Sequence, residues 1–491
     1  MKKFNLLLLM SLIFGALVFN SCDDDTEVIP DAPAVTAPSS NIPVAAGASV
    51  DVSFTLNVPG GYASANASAQ GGTATISDEP ADGATSGTVV VSFTAGSTGG
   101  TASVTLTVTD QNQKSDNATA VLSISEEETT VRVTSNISQN TTWETGKVYI
   151  LGGRIAVLNG VTLTIEPGVI VKGEAGAGAN STVLIVARGA KLMAEGTATA
   201  PIIFTTVADE IMPEDIAAGN FASPNLDPVV KGYWGGLIVL GKAPISVSSG
   251  TEAQIEGIPT SDPNGLYGGS DPADNSGVLK YISIRHGGTE IGEGNEINGL
   301  TLGGVGSGTT IENIEVVSNQ DDAIEWFGGT VNVKNAVSWN VGDDGMDTDQ
   351  SWDGTLDNFV VVTPSGHCFE LDGPEGTMAA GHTIQNGTII ASASDGSYGA
   401  QDLINVDDNS IVDLKNLYFT NIREGQKINR VTASQVTFTG IQLDVPAAEL
   451  PNHVNGAVPA GVTAVSTPTV GADLTVFSWT WASQAGVLTI E

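Results

Sequence analysis

Ile311-Glu312-Asn313-Ile314, Val333-Lys334-Asn335-Ala336 and Leu356-Asp357-Asn358-Phe359 are three versions of one phrase, with asparagines 22 and 23 residues apart. Eight residues after each asparagine stands a polar pair: Asp321-Asp322, Asp343-Asp344 and Gly366-His367. Asn386 and Asn416 continue the series at wider spacing. Repeats of 20–30 residues built from short β-rich pieces mark a solenoid, whose coils bury their apolar faces only by stacking. The asparagine column predicts an amide ladder at one corner, Asn313, Asn335, Asn358, Asn386 and Asn416 bonding from coil to coil.

Working outward, the composition agrees with an all-β chain. Fifty-nine glycines in 491 residues suit a turn-dense protein, because glycine fills positive-φ corners. The 18 Lys+Arg against 55 Asp+Glu give a net charge of −37, which argues against nucleic acid as a partner, since phosphate needs a basic footprint. The two cysteines, Cys22 and Cys368, predict no disulfide framework.

Residues 1–21 read as a signal peptide, with Lys2 and Lys3 ahead of an apolar run from Leu6 to Phe19. Val18-Phe19-Asn20-Ser21-Cys22 resembles a bacterial lipobox, and Asp23-Asp24-Asp25-Thr26-Glu27 resembles the surface-export tract of Bacteroidota lipoproteins. The resemblance implies lipid attachment at Cys22, palmitate among the acyl chains, and an outer-membrane location facing the cell exterior. Residues 22–40 form an acidic and Pro-containing tether. Over residues 41–122, runs such as Ser49–Leu56, Thr88–Phe93 and Ala102–Val108 alternate apolar and polar residues. That pattern predicts an immunoglobulin-like β-sandwich serving as a spacer.

The solenoid is expected over 131–491, with polar excursions at 208–231 and 259–277; such insertions often build a solenoid's binding surface. Trp479 and Trp481 are expected to cap the last coil. Gly232–Ile245, Gly277–Gly288 and Trp326–Lys334 together resemble a widespread family of secreted bacterial right-handed parallel β-helix lipoproteins. The resemblance implies the pectin-lyase-like fold and no established activity.

Phasing the residues after each polar pair gives two stacks. Ile324, Met346, Phe369 and Ile404 should point inward. Glu325, Asp347, Glu370 and Asn405 should point outward, with Phe327, Asp349, Asp372 and Asp407 beside them, and Cys368 also falls on the outward parity. Neighbouring strands lie ~4.8 Å apart, so stacked carboxylates repel unless protonated, hydrogen-bonded or bridged by a cation. Three readings remain open. One is a solvated anionic face whose Asp pairs are turn residues. A second is a divalent-cation site, Ca²⁺ being the expected ion, drawn from Asp321, Asp322, Glu325, Asp343, Asp344, Asp347, Asp349, Glu370 and Asp372.

The third is a glycoside hydrolase, because Asp322, Asp343, Asp344 and His367 resemble the Asp, Asp-Asp and His of polygalacturonase-like enzymes on consecutive coils. The chain lacks the Asn-Thr-Asp and Gly-His-Gly contexts and any clear Arg-Ile-Lys counterpart, Lys427-Ile428-Asn429-Arg430 being a poor substitute. Asp262, Asp271 and Asp274 are weaker cation candidates, and Arg285-His286 should begin a corner. With no complete catalytic set, the expected role is a non-catalytic binding or accessory module for glycans or an outer-membrane transporter. The polygalacturonase-like hydrolase is the alternative.

Overall fold

The computed structural model describes residues 29–126, 129–291, 296–407, 409–432 and 435–489. Cys22 and its acidic tract therefore lie outside the described residues. The chain divides into two compact units, with the boundary between Glu127 and Glu128.

The first unit holds two four-stranded sheets. One contains Ala34–Thr36, Ser49–Asn57, Ser86–Ala95 and Gly72–Asp78; the other contains Ile42–Ala45, Ser115–Ser125, Gly100–Asp110 and Tyr62–Gln70. Alternation dictates the core: Val52, Phe54 and Leu56 point inward from one strand, meeting Val104, Leu106 and Val108 from another. The expected limits shift at both ends. Ala34–Thr36 pairs antiparallel with Thr55–Asn57, so part of the expected tether is strand. The last strand runs to Ser125, three residues past the expected end at 122, because Leu122 and Ile124 still fill core positions.

The second unit is a stack of parallel strands in a fifteen-stranded and an eight-stranded sheet. The longer sheet runs from Thr130–Val133 to Val462–Val465. The shorter one contains Arg154–Val157, Val183–Val186, Leu237–Leu240, Leu300–Gly303, Ile324–Phe327, Asp347–Asp349, Glu370–Leu371 and Asn405–Val406. Early coils use two separate short strands where later coils use one bent strand. Gly277–Arg285 marks the change, since its first half pairs with Lys191–Glu195 and its second with Ile202–Thr206. Between the sheets, like stacks on like: Leu279, Ile311, Val333, Leu356, Ile384 and Leu414 follow one another in register and are fully buried. Burying each such side chain is worth about 1.5–3 kcal/mol.

The bend in each long strand is where the asparagines sit. Asn313, Asn335, Asn358, Asn386 and Asn416 all have φ between 55° and 59°, the left-handed region that asparagine tolerates better than other side chains. Asn335 Nδ2 donates to Asn313 Oδ1 at 3.0 Å, Asn358 Nδ2 to Asn335 Oδ1 at 2.8 Å, and Asn416 Nδ2 to Asn386 Oδ1 at 3.1 Å. The ladder breaks once: Asn386 donates to Asp357 Oδ1, while Asn358 accepts from Asp473 N of the C-terminal tail. Tyr281 and Gly440 occupy the same bend, at φ 51° and 68°.

A second left-handed column, at the ends of the same strands, consists of His286, Ser318, Asn340, Thr363 and Asn421.

The C-terminal aromatics do not cap the last coil. Residues 471–489 return along the outer face of the long sheet, where Phe477 and Trp481 pack on Val317, Val337, Trp339, Val360 and Ile390. Trp479 joins Val148, Ile170 and Ile203 further back. The apolar outer faces of these central strands give the tail aromatics a surface on which to bury. Excursion 208–231 supports the same layer through Ile211, Ile216 and Phe221, and Phe221 N donates to Gln484 Oε1. Excursion 259–277 goes to the other side. There Tyr267 meets Phe327 edge-on at 6.1 Å and packs with Ile245, Ile255 and Ile258 over the eight-stranded sheet.

Candidate functional site

The short strands of the eight-stranded sheet bring Glu325, Asp347, Glu370 and Asn405 into direct register, as phased from the sequence. Their inward neighbours Trp326, Thr348, Leu371 and Val406 are buried, and Trp326 stacks on Trp352 at 4.6 Å. Two expectations fail in detail. Glu325 is only 7% exposed, because Asn298 donates to its Oε2 and the 259–277 excursion covers the neighbouring Phe327. Cys368 is fully buried among interior residues, so it is not on the outward face. The strand beyond it is only Glu370–Leu371, too short to carry period-two alternation back to position 368.

At the edge of this strip the Asp pairs divide their labour. Asp322 Oδ1 accepts from Asp344 N at 2.8 Å, and Asp344 Oδ1 accepts from His367 N. Asp402 extends the same lane by accepting from Lys427 N at 2.8 Å. Asp322 and Asp344 are therefore buried coil-to-coil connectors, at 7% and 1% exposure. Asp321 and Asp343 are the members open to solvent, Asp343 the more exposed. His367 Nδ1 lies 3.2 Å from Asp344 Oδ1 and 4.0 Å from Glu370 Oε2. This pairing with Asp344 raises the imidazole pKa above its ordinary value, against the opposing effect of burial.

Burial and mutual repulsion hold the carboxyls protonated to unusually high pH. Burial is the leading cause for Asp321, reinforced by Glu296 and Asp343, and its pKa stands at about 7. Glu370 also stands at about 7, through burial and its interaction with Asp344. Asp349 reaches about 7 and Asp372 about 6 for the same leading reason. Asp322, Glu325 and Asp347 are pushed well above the usual range by burial and by one another.

The sequence reading missed Lys231. It stands at the end of excursion 208–231, with Nζ 3.5 Å from Ser365 Oγ and within electrostatic reach of Asp343, and burial lowers its pKa to about 8. Only the adjoining glycine signals a chain return there. Arg430 pairs with Asp407 at 3.0 Å.

Carboxylate and imidazole atoms converge within 4.8 Å in three groups among the described residues: Asp344/His367/Glu370, Asp321/Asp322/Asp343 and Asp322/Glu325/Asp347. Each offers mostly hard oxygen donors, suited to Ca²⁺ rather than to a soft metal. Two of the weaker candidates, Asp262 and Asp271, are turn residues, and Asp274 holds a distant backbone N–H. Asp262 accepts from Asn264 N, Asp271 from Ala273 N, and Asp274 from Lys242 N.

Comparison with known proteins gives a family model described as a pectate-lyase-like beta helix domain, matching residues 135–219 and 221–482. No curated protein matches. Among solved structures, a family 28 exopolygalacturonase from Yersinia enterocolitica pairs at 10% identity over 90% of this chain and 100% of that chain. The TM-score of that pairing is 0.16. The family match spans most of the stacked-strand unit, and the chain belongs to the pectate-lyase-like β-helix domain family.

Proposed function

We propose that the acidic face hydrolyses glycosidic bonds in a polysaccharide, with Glu370 as general acid and Asp343 as general base. The observation that carries this reading is Glu370, a half-buried carboxyl held protonated to about pH 7, within electrostatic reach of the exposed Asp343. A general acid needs a pKa near its working pH, and paired carboxyls of this kind protonate the leaving oxygen and activate water. Asp322 and Asp344, the other candidates in the lane, serve as connectors, and His367 positions Glu370 through their 4.0 Å approach. The expected assay is release of reducing ends from a polysaccharide panel, lost at least a hundredfold in Glu370→Gln and Asp343→Asn with melting temperature retained. Activity should fall as pH rises above about 7, where Glu370 loses its proton. Blank results across the panel would sink the assignment.

A second reading is favoured by the three converging donor groups: the face binds Ca²⁺ and acts as a glycan-binding module without turnover. Calorimetric titration of Ca²⁺ into chelator-stripped protein tests it, and absence of both heat and a melting shift refutes it. Under either reading, lipid attachment at Cys22 places the protein on the outer membrane, with the first unit as an immunoglobulin-like spacer and a transporter as a partner. A Cys22→Ala chain should leave the membrane fraction; unchanged retention would rule out the anchor.

A further inference from the structure

Away from the acidic face, the outer side of the long sheet carries a cavity of about 600 Å³, a size typical of small-molecule sites. Its floor is apolar, made by Trp339, Val362 and Ile390, which end three successive long strands in register. Its walls come from distant chain: Asp227–Val229 of the first excursion, Gly486 and Val487 of the tail, and the loop around Ser392 and Tyr398. The second left-handed column fixes the first of these walls. Ser318 Oγ and Asn340 Nδ2 both donate to Pro228 O, the latter at 3.0 Å, and Thr363 Oγ1 donates to Asn340 Oδ1 at 2.5 Å. Trp481 of the tail meets Trp339 edge-on at 5.7 Å, and Gln426 Nε2 donates to Ser392 Oγ at 3.1 Å. The cavity is therefore preformed, and a ligand entering it orders no loop.

The polar lining keeps bonding capacity in hand. Asp227 Oδ1 accepts from Val229 N, and Asp444 Oδ2 accepts from Tyr418 Oη and Thr420 Oγ1. Among the described residues, nothing donates to the second oxygen of either carboxylate, and the Asn421 amide is equally free. Tyr398, also on the lining, is 47% exposed. An apolar floor bordered by acceptors and an open aromatic ring matches a sugar, whose C–H faces pack on apolar surface while its hydroxyls donate at the edge. The position of the cavity favours the same ligand. Asn340 precedes Asp343 by three residues, at most about 11 Å of chain. Thr363 precedes by two residues Ser365, whose Oγ lies 3.5 Å from Lys231 Nζ. A glycan leaving the acidic face at Asp343 is thus within reach of the cavity. This continuity rests on a glycan occupying that face, which both readings above share.

We infer that the cavity is a second saccharide site, holding a sugar unit of the same glycan with Tyr398 against its ring and Asp227, Asn421 and Asp444 bonded to its hydroxyls.

The test is calorimetric titration of the full chain carrying Glu370→Gln, which prevents turnover, with cellotetraose, xylotetraose, mannotetraose and chitotetraose. Expected is binding of at least one, weakened about tenfold or more by Tyr398→Ala and abolished by Ala393→Trp, which fills the cavity. Tyr398 holds its loop through its backbone carbonyl, which accepts from Ala393 N and Arg423 Nη2, so losing the ring should leave the melting temperature unchanged. If Ala393→Trp does not fold, Tyr398→Ala decides alone. Binding that survives Tyr398→Ala but is lost on adding Asp343→Asn puts the sugar on the acidic face; it overturns the second site and leaves the hydrolase reading standing. Binding lost in Tyr398→Ala but unchanged by Asp343→Asn supports the second site even if no polysaccharide is cleaved. Binding of none of the four tetrasaccharides overturns it.

Discussion

The asparagine corner and the acidic face are built by the same operation, one polar residue repeated at one position of successive coils, yet their physics is opposite. An amide both donates and accepts, so Asn313, Asn335 and Asn358 pass hydrogen bonds from rung to rung. A carboxylate only accepts. Glu325, Asp347 and Glu370 can take a bond from outside, as Glu325 does from Asn298 and Glu370 from Asn405, but Asp347 Oδ1 is buried without a partner. The first column stabilises the stack. The second costs stability and stores a demand for protons or cations, which is what a functional surface needs.

Substitutions that exchange the two characters test this contrast. The largest expected effect is Asn335→Ala, which loses two amide bonds and places alanine at φ 59°. Together these should cost about 3 kcal/mol in denaturant unfolding, and Asn335→Gly should recover about 1 kcal/mol of it by removing the backbone strain. Asn335→Asp makes one rung acceptor-only. It keeps the bond from Asn358 and loses the one to Asn313, for a cost of about 2 kcal/mol at pH 8. Asp347→Asn does the reverse, lending a donor to a repulsive column, and should stabilise by about 0.5–1 kcal/mol at pH 8. If Asp347→Asn destabilises in chelator, the acidic column is not frustrated.

The pH slope tests the acidic column as a whole. Asp321, Asp349, Glu370 and Asp372 have folded-state pKa values of about 6 to 7, above their ordinary range near 4. The folded protein therefore holds more protons than the unfolded chain between those limits. Stability from these groups is complete below pH 4 and is lost as pH rises through 7. Melting temperature should climb as pH is lowered from 8 to 5, less steeply in Asp349→Asn. A flat profile would remove the case for raised carboxyl pKa values.

What could be read in the sequence follows from the same physics. The asparagine column is legible because one residue type serves both the left-handed bend and the hydrogen bonds. The second left-handed column is not, since His286, Ser318, Asn340, Thr363 and Asn421 share φ values of 47–59° but no side-chain chemistry. Strand parity correctly paired Glu325, Asp347, Glu370 and Asn405. It could not show that Asn298 and the Tyr267 excursion bury one end of that row, because those partners arrive from distant chain. Lys231 beside Asp343 is likewise a product of the long return of excursion 208–231. The tail aromatics were visible as a motif, but their resting place depends on apolar residues facing outward from a sheet, which period-two reading assigns to solvent.

That tail has a consequence for how the molecule comes apart. A simple coil stack is one-dimensional, each repeat held by its neighbours and free to fray from either end. Residues 471–489 lie lengthwise across it, joining the lane of Val148 and Ile203 to that of Val360 and Ile390. Peeling the middle coils apart requires removing this strip first, so those coils should melt as one cooperative block. Assembly runs the other way: the strip can dock only after the coils it crosses have formed, which makes folding of this unit slow and its last step one of long sequence separation.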